Sequence, residues 1–475
     1  MNVAFVTSEI APFSKTGGLG DVSFSLPVNL KKYGINVIVI TPLYRSINLQ
    51  KFNINFTGIE YSIFIDGNFE KVKIYETEIK SLKVYFIQNE KYFNIDNFYE
   101  GDSGVRFAFF NYAVIELTKI LNFKPDIFHI NDWQTGILPV MLKINYNHDR
   151  FFISTKVLIT IHNLAYQGYF PKEILYRINL PEYLFNIDLL EFYGQVNFLK
   201  AGIVFSDFIT TVSPTYANEI LTPIAGWGLD GVLRNKKDKI KGILNGIDED
   251  IWNPEKDKFI YKNFNADNID LKVYNKLFLQ RELNFKEDRD IVLFGFVGRL
   301  TYQKGCEFIV NIIPYLMNFK VQIVILGKGE KYYEDMIIKK SEKYKEKISL
   351  NLKFDEILAH QIYAGIDFLL MPSVYEPCGL TQMISLKYGS IPIARKVGGL
   401  NDSIIDISNN NSKPTGILFK NLDLKEFYEC ILKSFELFYK DKELLKQMQI
   451  KGIKSDFSWE KSAKEYINVY QSLLT

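Results

Sequence analysis

Short apolar runs rich in β-branched residues alternate along the chain with stretches of amphipathic, helix-like pattern. In the first half these runs are residues 3–7, 35–41, 126–130, 156–162 and 207–213. In the second half they are residues 291–298, 320–327, 348–353, 367–372, 391–395 and 416–419. Apolar strands that alternate with amphipathic helices indicate parallel sheets covered on both faces. Because the pattern occurs twice, we predict an α/β protein with two doubly wound, Rossmann-like domains.

Two stretches depart from this pattern. Between Lys51 and Gln88, runs such as YSIFI and KVYFI predict antiparallel strands or an inserted hairpin. The seam between the domains is expected near residues 241–248 or in the polar stretch of residues 256–290. The last stretch, residues 458–474, predicts a helix with Ser458 as its N-cap.

The charge balance and the cysteine content of the chain limit the kinds of partner and compartment that we expect. The chain has 475 residues with 57 basic and 55 acidic side chains, a net charge of +2. This balance gives no electrostatic reason to expect nucleic acid or a membrane surface as a partner. The three cysteines form no C-x-x-C pair, and no apolar run approaches the about 18 residues of a membrane span. The N-terminus also lacks the pattern of a secretory leader, so we expect a cytoplasmic protein.

A glycine-rich loop, KTGGLGDV, follows the first predicted strand at residues 15–22. Glycines at the carboxyl end of a strand let backbone N–H groups approach a phosphate or a sugar, and Lys15 adds a positive charge. The alternative interpretation of these residues is a tight turn between a strand and a helix, with Lys15 exposed to solvent. The spacing G-G-L-G is not the dinucleotide pattern G-x-G-x-x-G, which disfavours an oxidoreductase.

Two loops in the second half carry charge. GRLTYQKG (298–305) places Arg299 and Lys304 across a turn. The two cations could neutralise the charge of a leaving diphosphate, or they could simply be two surface cations beside a loop. SVYEPCGLTQ (373–382) places Glu376 just before the next helix. A carboxylate there could accept hydrogen bonds from sugar hydroxyls or offset positive charge at a reacting carbon. It could equally interact with the N-terminus of the next helix.

Taken together and in chain order, these segments resemble the bacterial glycogen synthases and plant starch synthases. The resemblance rests on eleven segments at residues 15–22, 131–136, 162–168, 198–203, 211–217, 242–248, 252–254, 298–305, 359–365, 376–382 and 397–400. It implies the B-type fold, with two Rossmann-like domains facing an interdomain cleft. The implied domains are an acceptor-side domain (1–245), a nucleotide-sugar-binding domain (246–457) and a helix that crosses back (458–475).

The family transfers glucose from a nucleotide sugar, usually ADP-glucose, to the non-reducing 4-hydroxyl of an α-1,4-glucan with retention. The resemblance therefore implies catalytic roles for Glu376, His162, Arg299 and Lys304. It implies that Lys15 and Gly18 approach the donor and that Phe354 lies against its base. It also implies that the backbone of Cys378, Gly379, Leu380 and Thr381 cradles sugar and phosphate.

Several residues keep two interpretations. Asp21, Asp132 and Asn245 fall in family segments and suit sugar or acceptor contacts, or capping and turn formation. His129 either lines the site or packs, whereas His148 and His360 are interpreted as structural. Trp227 stands where the family often has a small or polar residue, so its loop is expected to pack differently.

The loop of Glu376 offers no second carboxylate for a covalent route, so we hypothesise same-face attack. The cationic pair makes a metal unnecessary, and we expect no metal and no cofactor. UDP-glucose or another acceptor remains an alternative, as does a non-catalytic glucan-binding homologue. A glucan chain and a nucleotide sugar are the expected partners, and the sequence leaves the oligomeric state open.

Overall fold

The computed structural model describes residues 1–95, 98–99, 101–409 and 413–475, and it divides into two compact units. Unit 1 comprises Met1–Ile243 together with Trp459–Thr475, and unit 2 comprises Leu244–Ser458. The chain thus leaves unit 1 after Ile243 and returns to it with its last helix.

Unit 1 contains a sheet whose described strands number nine, and a small antiparallel sheet of three short strands. The strands are β1 (Asn2–Val6), β2 (Asn36–Pro42), β3 (Asn55–Ile65), β4 (Asn68–Ile79), β5 (Leu82–Gln88), β6 (Ile127–Asn131), β7 (Lys156–Ile161), β8 (Tyr169–Phe170), β9 (Glu191–Phe192), β10 (Gln195–Asn197), β11 (Phe208–Thr211) and β12 (Ile240–Gly242). The helices are α1 (Gly18–Lys32), α2 (Glu90–Phe93), α3 (Ser103–Ile120), α4 (Leu138–Ile144), α5 (Ile174–Arg177), α6 (Phe198–Phe205), α7 (Pro214–Glu219) and α8 (Asp230–Arg234).

The large sheet of unit 1 has the strand order β12-β11-β7-β6-β1-β2-β5-β4-β3. Strand β1 lies between β2 and β6 and is parallel to both, with Val3 paired to Val37 on one side and to Ile127 on the other. The chain builds outward from β1 in both directions, so the β1/β6 boundary is the switch point where α/β folds place their ligands.

The stretch predicted to be antiparallel extends this same sheet. Strands β3 and β4 form an antiparallel hairpin, β4 pairs antiparallel with β5, and β5 pairs parallel with β2. The prediction of antiparallel strands is confirmed, and the hairpin is a continuation of the sheet and not a separate insertion.

Unit 2 is built on a six-stranded sheet, counted over its described residues, in which every neighbouring pair is parallel. The strands are β13 (Val292–Val297), β14 (Val321–Leu326), β15 (Ile348–Asn351), β16 (Phe368–Met371), β17 (Ile391–Arg395) and β18 (Ile417–Phe419). The helices are α9 (Lys272–Glu282), α10 (Cys306–Leu316), α11 (Lys331–Ser341), α12 (Glu356–Gly365), α13 (Thr381–Lys387), α14 (Gly398–Ser403), α15 (Leu424–Tyr439) and α16 (Lys442–Ile453).

The strand order of unit 2 is β15-β14-β13-β16-β17-β18, the order of a Rossmann sheet. Its switch point lies between β13 and β16. Strand β14 is buried along its whole length, and β16 likewise, because helices cover both faces of the sheet. This double coverage explains why these strands are predominantly apolar in the sequence. The prediction of two doubly wound parallel-sheet domains is confirmed.

The last helix, α17 (Trp459–Leu474), packs on unit 1. Its Tyr470 hydroxyl lies 2.6 Å from Nδ1 of His129 in β6, and Tyr33 at the end of α1 donates a hydrogen bond of 2.6 Å to Glu460. No helix within the described part of the chain combines the length and the apolar character needed to cross a bilayer.

Candidate active site

Most of the predicted site residues follow strands at or next to the two switch points, whereas Asn245 and Phe354 follow the edge strands β12 and β15. In unit 1, Lys15, Gly18 and Asp21 follow β1, Asp132 follows β6, and His162 follows β7. In unit 2, Arg299 and Lys304 follow β13, and Glu376 follows β16. In each unit the topology therefore gathers these residues at the edge where open α/β sheets bind ligands.

Glu376 and Lys304 form a close ion pair in unit 2. The Lys304 Nζ lies 2.6 Å from Oε2 of Glu376, and the two side chains are 18% and 6% exposed. The Ser373 hydroxyl donates a second hydrogen bond, of 3.1 Å, to the same oxygen. A carboxylate this deeply buried needs such partners, because an unpaired charge there carries a large desolvation cost. The pair thus fixes a carboxylate and an ammonium side by side at the switch point.

Two glycines of the VGGL segment hold the Glu376 loop in place. A Cβ atom on Gly398 would lie 2.0 Å from the carbonyl oxygen of Glu376, and one on Gly399 would lie 2.0 Å from that of Cys378. Gly398 also has a φ of +42°, and the Gly399 N–H donates to the Glu376 carbonyl at 3.1 Å. Only glycine permits this approach, which explains why VGGL accompanies EPCGLTQ in the sequence.

The segment from Cys378 to Thr381 leads into α13. Gly379 has a φ of +72°, Leu380 is the N-cap, and Thr381 is the first helical residue. The carbonyl groups of Cys378 and Gly379 accept hydrogen bonds from the Gln382 amide at 3.0 and 2.9 Å. The loop is therefore held by hydrogen bonds from a side chain of the helix that follows it.

Asn245 lies beside this loop at the start of unit 2. Its backbone N–H donates to the Cys378 sulfur, and burial raises the pKa of the Cys378 thiol to about 12. The thiol is therefore neutral at physiological pH and inert as a nucleophile. The side-chain Oδ1 of Asn245 is buried, and no hydrogen-bond donor reaches it from the residues that the structure describes. A buried acceptor without a partner is costly, which favours a ligand group as its missing donor.

The side chains of Arg299 and Phe354 are more exposed to solvent than those of Lys304 and Glu376. The Arg299 guanidinium donates a long hydrogen bond of 3.4 Å to Gln303 and is only half-buried. Phe354 follows the edge strand β15 and is 78% exposed. Both side chains are thus accessible to a ligand, and neither is held by the Glu376 pair.

In unit 1 the glycine-rich loop carries a second ion pair. Lys15 Nζ lies 2.7 Å from Oδ1 of Asp21, and both side chains are substantially exposed. Gly18 is the first residue of α1. An exposed pair of this kind is worth about 0–1 kcal/mol, so Lys15 is free to exchange Asp21 for another anion at little cost.

The sequence did not single out Glu9, which organises this loop. Glu9 is 2% exposed, and its Oε2 accepts the Thr16 backbone N–H at 2.5 Å while its Oε1 accepts the Thr16 hydroxyl at 2.6 Å. The Tyr99 hydroxyl donates to Oε1 as well. The only sequence signal was its place between the first strand and the glycine-rich loop.

His162 is held as a neutral imidazole. Burial lowers its pKa to about 3. Its Nε2 lies 2.9 Å from Oδ1 of Asn131, whose amide nitrogen donates to the Val6 carbonyl, so Nε2 carries the proton. The Nδ1 atom is then the acceptor. His162 therefore offers a hydrogen-bonding atom and not a positive charge.

Asp132 supports the same turn. It has a φ of +54°, and its carboxylate accepts the His162 backbone N–H at 2.7 Å and that of Asn163. Burial raises the pKa of Asp132 from 3.8 to about 7, with the nearby Glu9 charge adding to the rise. Asp132 thus positions the backbone of His162, and the sequence had left open whether it contacts sugar instead.

Of the other histidines, His129 and His360 are buried and serve packing. His129 is fully buried between the Tyr470 hydroxyl and the Thr160 hydroxyl, each at 2.6 Å. His360 stacks on Trp252 with a centroid distance of 4.0 Å and pairs with Asp257 at 2.6 Å. His148 is exposed. Packing is thus the interpretation that the structure favours for His129.

Within the described ranges, no cluster of three or more His, Cys, Asp or Glu side chains is arranged to hold a metal ion.

The chain matches two protein families in tandem. Residues 2–235 match the family described as "Starch synthase catalytic domain", and residues 292–436 match "Glycosyl transferases group 1". The first match covers most of unit 1 and the second covers the sheet of unit 2.

Full-length relatives and a solved structure agree with these matches. The chain is 43% identical to the glycogen synthase of Thermotoga maritima, covering 100% of this chain and 99% of that protein. It is 44% identical to the glycogen synthase of Clostridioides difficile, with both chains covered completely. The catalytic domain of starch synthase IV from Arabidopsis thaliana, bound to ADP and acarbose, superposes with a TM-score of 0.94 at 35% identity, covering 100% and 99% of the two chains.

Proposed function

Because the chain belongs to the glycogen and starch synthase family of glycosyltransferases, we propose that it transfers glucose from ADP-glucose to the non-reducing 4-hydroxyl of an α-1,4-glucan, with retention. The observation that carries this proposal is the buried Lys304–Glu376 pair at the switch point of unit 2. It places a cation for a departing diphosphate beside a carboxylate for the reacting sugar.

In the proposed reaction, the bond between the anomeric carbon and the diphosphate oxygen breaks first. Arg299 and Lys304 take up the negative charge on the departing diphosphate, and Glu376 offsets positive charge on the sugar ring. The glucan 4-hydroxyl oxygen then bonds to the anomeric carbon from the same face, and its proton passes to the diphosphate oxygen. Trapping a glucosyl-enzyme on any carboxylate would contradict this same-face route.

We assign the donor contacts in unit 2 to residues with unsatisfied or accessible groups. The buried Oδ1 of Asn245 lacks a donor among the described residues, and a sugar hydroxyl supplies one in this proposal. The backbone from Cys378 to Thr381 receives sugar and phosphate oxygens. The exposed ring of Phe354 stacks on the base of the nucleotide.

Unit 1 contributes a neutral histidine and a cation to the same reaction. With its proton fixed on Nε2, His162 presents Nδ1 and its backbone carbonyl to hydroxyls of the transferring glucose. Lys15, Gly18 and Asp21 act on the donor from the glycine-rich loop, and Asp132 acts by holding the His162 backbone. In this proposal residues 1–245 and the helix at 458–475 form the acceptor-side domain, and residues 246–457 bind the nucleotide sugar.

The proposed location is the cytoplasm. The three cysteines, Cys306, Cys378 and Cys430, are free and buried, a pattern that suits a reducing compartment.

The test is glucose incorporation into glycogen from ADP-glucose and from UDP-glucose in parallel, with maltotriose as a second acceptor. We expect a strong preference for ADP-glucose and activity with both acceptors. Efficient use of UDP-glucose alone would overturn the donor assignment. Binding of glycogen without incorporation from either donor would leave only a glucan-binding role.

A further inference from the structure

The loop that follows β14 carries a lysine, Lys328, to which neither the resemblance nor the proposed function gives a role. Strands β13, β14 and β15 are neighbours in the sheet of unit 2. Their last residues are paired in register, Val297 with Leu326 and Leu326 with Asn351. The loops that follow these three strands therefore begin side by side, at the same level of the sheet.

The pairing between β13 and β14 continues beyond the ends of the strands. The Leu300 N–H donates a hydrogen bond of 3.2 Å to the Lys328 carbonyl, and Leu300 forms a parallel bridge with Gly329. This bridge keeps the register of the two strands, so Arg299 and Lys328 lie opposite each other. Neighbouring strands are about 4.8 Å apart, which makes the two residues direct neighbours.

Two glycines allow the loops to approach each other so closely. A Cβ atom on Gly327 would lie 1.8 Å from the carbonyl oxygen of Gly298, and one on Gly329 would lie 2.1 Å from that of Leu300. Any other residue at these two positions would push the loops apart. The lysine between the two glycines is therefore held against the loop of residues 298–300.

Arg299 and Lys328 both project away from the core. Leu300 is fully buried, and successive side chains of an extended segment point to opposite sides. The side chain of Arg299 therefore lies on the outer side, and Lys328 shares that side because the two residues are in register. Arg299 is half-buried there, and Lys328 is exposed.

These two cations lack carboxylate partners. In the next loop, Lys353 pairs with Asp355 at 2.7 Å. Among the residues that the structure describes, neither Arg299 nor Lys328 forms an ion pair. Like charges directly opposite each other on neighbouring strands are destabilising. A bound anion removes this repulsion, so the pair of cations favours a ligand with negative charge.

The order of the strands matches the order of the groups in a nucleotide sugar. Across the sheet the strands lie in the order β16, β13, β14 and β15. They are followed by Glu376, Arg299, Lys328 and Phe354, respectively. A donor whose sugar meets Glu376 and whose base meets Phe354 passes the loop of β14 with its ribose and the phosphate attached to the ribose.

We propose that Lys328 is a further donor-binding residue, whose ammonium group binds the ribose-linked phosphate of the nucleotide. The proposal rests on the proposed function for the donor class, a nucleoside diphosphate sugar. No bond of this phosphate breaks during the transfer, so its contact is equally strong in the bound substrate and in the transition state. Such a contact lowers KM for the donor and leaves kcat unchanged.

The test replaces Lys328 by methionine, which removes the charge and keeps the length of the side chain. Calorimetric titration at fixed ionic strength measures the affinity for ADP and for AMP, in which the ribose-linked phosphate is the only phosphate. We expect Lys328→Met to weaken both affinities about tenfold, as the loss of one exposed charge-assisted hydrogen bond implies. KM for ADP-glucose should rise by the same factor, with kcat within about twofold of wild type.

Lys328→Arg keeps the charge, so its affinities for ADP and AMP should stay within about twofold of wild type. The matched control is Lys320→Met, because Lys320 is an exposed lysine at the opposite end of β14. It should bind both nucleotides as the wild type does. An equal loss of affinity in this control would overturn the proposal, since any nearby positive charge would then have the same effect.

An ADP affinity of Lys328→Met within about twofold of wild type would also overturn the proposal. So would a loss of affinity for ADP without a loss for AMP, which would move the contact to the other phosphate. If the protein transfers no glucose, the proposed function fails, but the titrations still decide the role of Lys328. If UDP is the nucleotide that binds, UDP and UMP give the same comparison, and a wild type that binds neither nucleotide would contradict the proposal.

Discussion

The ion pair between Lys304 and Glu376 allows stability and catalysis to be separated by a double-mutant cycle. Lys304→Met removes the ammonium but keeps the length of the side chain, and Glu376→Gln removes the negative charge but keeps its shape. All three variants, including the double variant, lack a group that the proposed reaction needs. Their stabilities, however, should differ in a specific order.

The magnitude follows from burial. Breaking a fully buried pair costs about 3–5 kcal/mol, because the remaining charge is left without its partner. The Lys304 side chain keeps 18% of its area exposed, so water relieves part of this cost. We expect Lys304→Met to lower the free energy of unfolding of unit 2 by about 2–3 kcal/mol. Glu376→Gln should cost less, since the ammonium left behind is the more exposed partner.

The double variant should be more stable than Lys304→Met alone, because it leaves no buried charge. Hydrogen exchange read by mass spectrometry at β16 reports opening of unit 2, and exchange at β6 reports unit 1 as an internal control. The reasoning is refuted if Lys304→Met leaves exchange at β16 within about 0.5 kcal/mol of wild type, or if the two losses simply add in the double variant.

Three further predictions address the loops. Lys15→Ala removes only an exposed pair with Asp21, so we expect intact folding and glycogen affinity but a KM for ADP-glucose raised about tenfold or more; an unchanged KM would contradict a donor contact. Burial raises the pKa of Asp132 from 3.8 to about 7, so the folded state holds a proton that the unfolded state loses, and the stability of unit 1 should fall as pH rises from about 4 to 7. Asp132→Asn should remove this fall in unfolding free energies measured across that window, and an unchanged pH dependence would count against it. Gly398→Ala places a Cβ atom on the Glu376 carbonyl, so kcat should fall at least about tenfold, and a wild-type kcat would show that the loop tolerates displacement.

Much of the fold could be predicted from the sequence, because the parallel strands are buried on both faces. Runs such as residues 320–327 are predominantly apolar, and the structure places β14 within this one. The family and the activity class were also predictable, since eleven segments in chain order resemble one family. The family matches and the full-length relatives confirm both.

The contacts of individual site residues could not be predicted from the sequence. His129 and His162 both stand at the ends of predicted strands, yet His129 lies inside β6 and points into the core while His162 lies one residue beyond β7. Pleat alternation and helix packing decide this difference, and the sequence does not show which face α17 covers. Glu9 was missed because its partners Thr16 and Tyr99 approach it only through the folded loop.

The left-handed backbone conformation of Trp227 could not be predicted from the sequence either. The sequence showed an unusual residue in its loop, but only the backbone reveals its positive φ and its place beside Tyr193. Loop conformation depends on neighbouring elements far along the chain, so local residue preferences do not report it.

The central claim is that this chain adds glucose through an α-1,4 bond at the non-reducing end of a glucan, with Glu376 essential. The most direct test is incubation of the protein with ADP-glucose labelled in the sugar and with glycogen, followed by digestion of the polymer with β-amylase, which releases maltose from non-reducing α-1,4 ends. We predict label in glycogen that β-amylase releases as maltose, and almost none with Glu376→Ala. Label that resists β-amylase, or full incorporation by Glu376→Ala, would contradict the account.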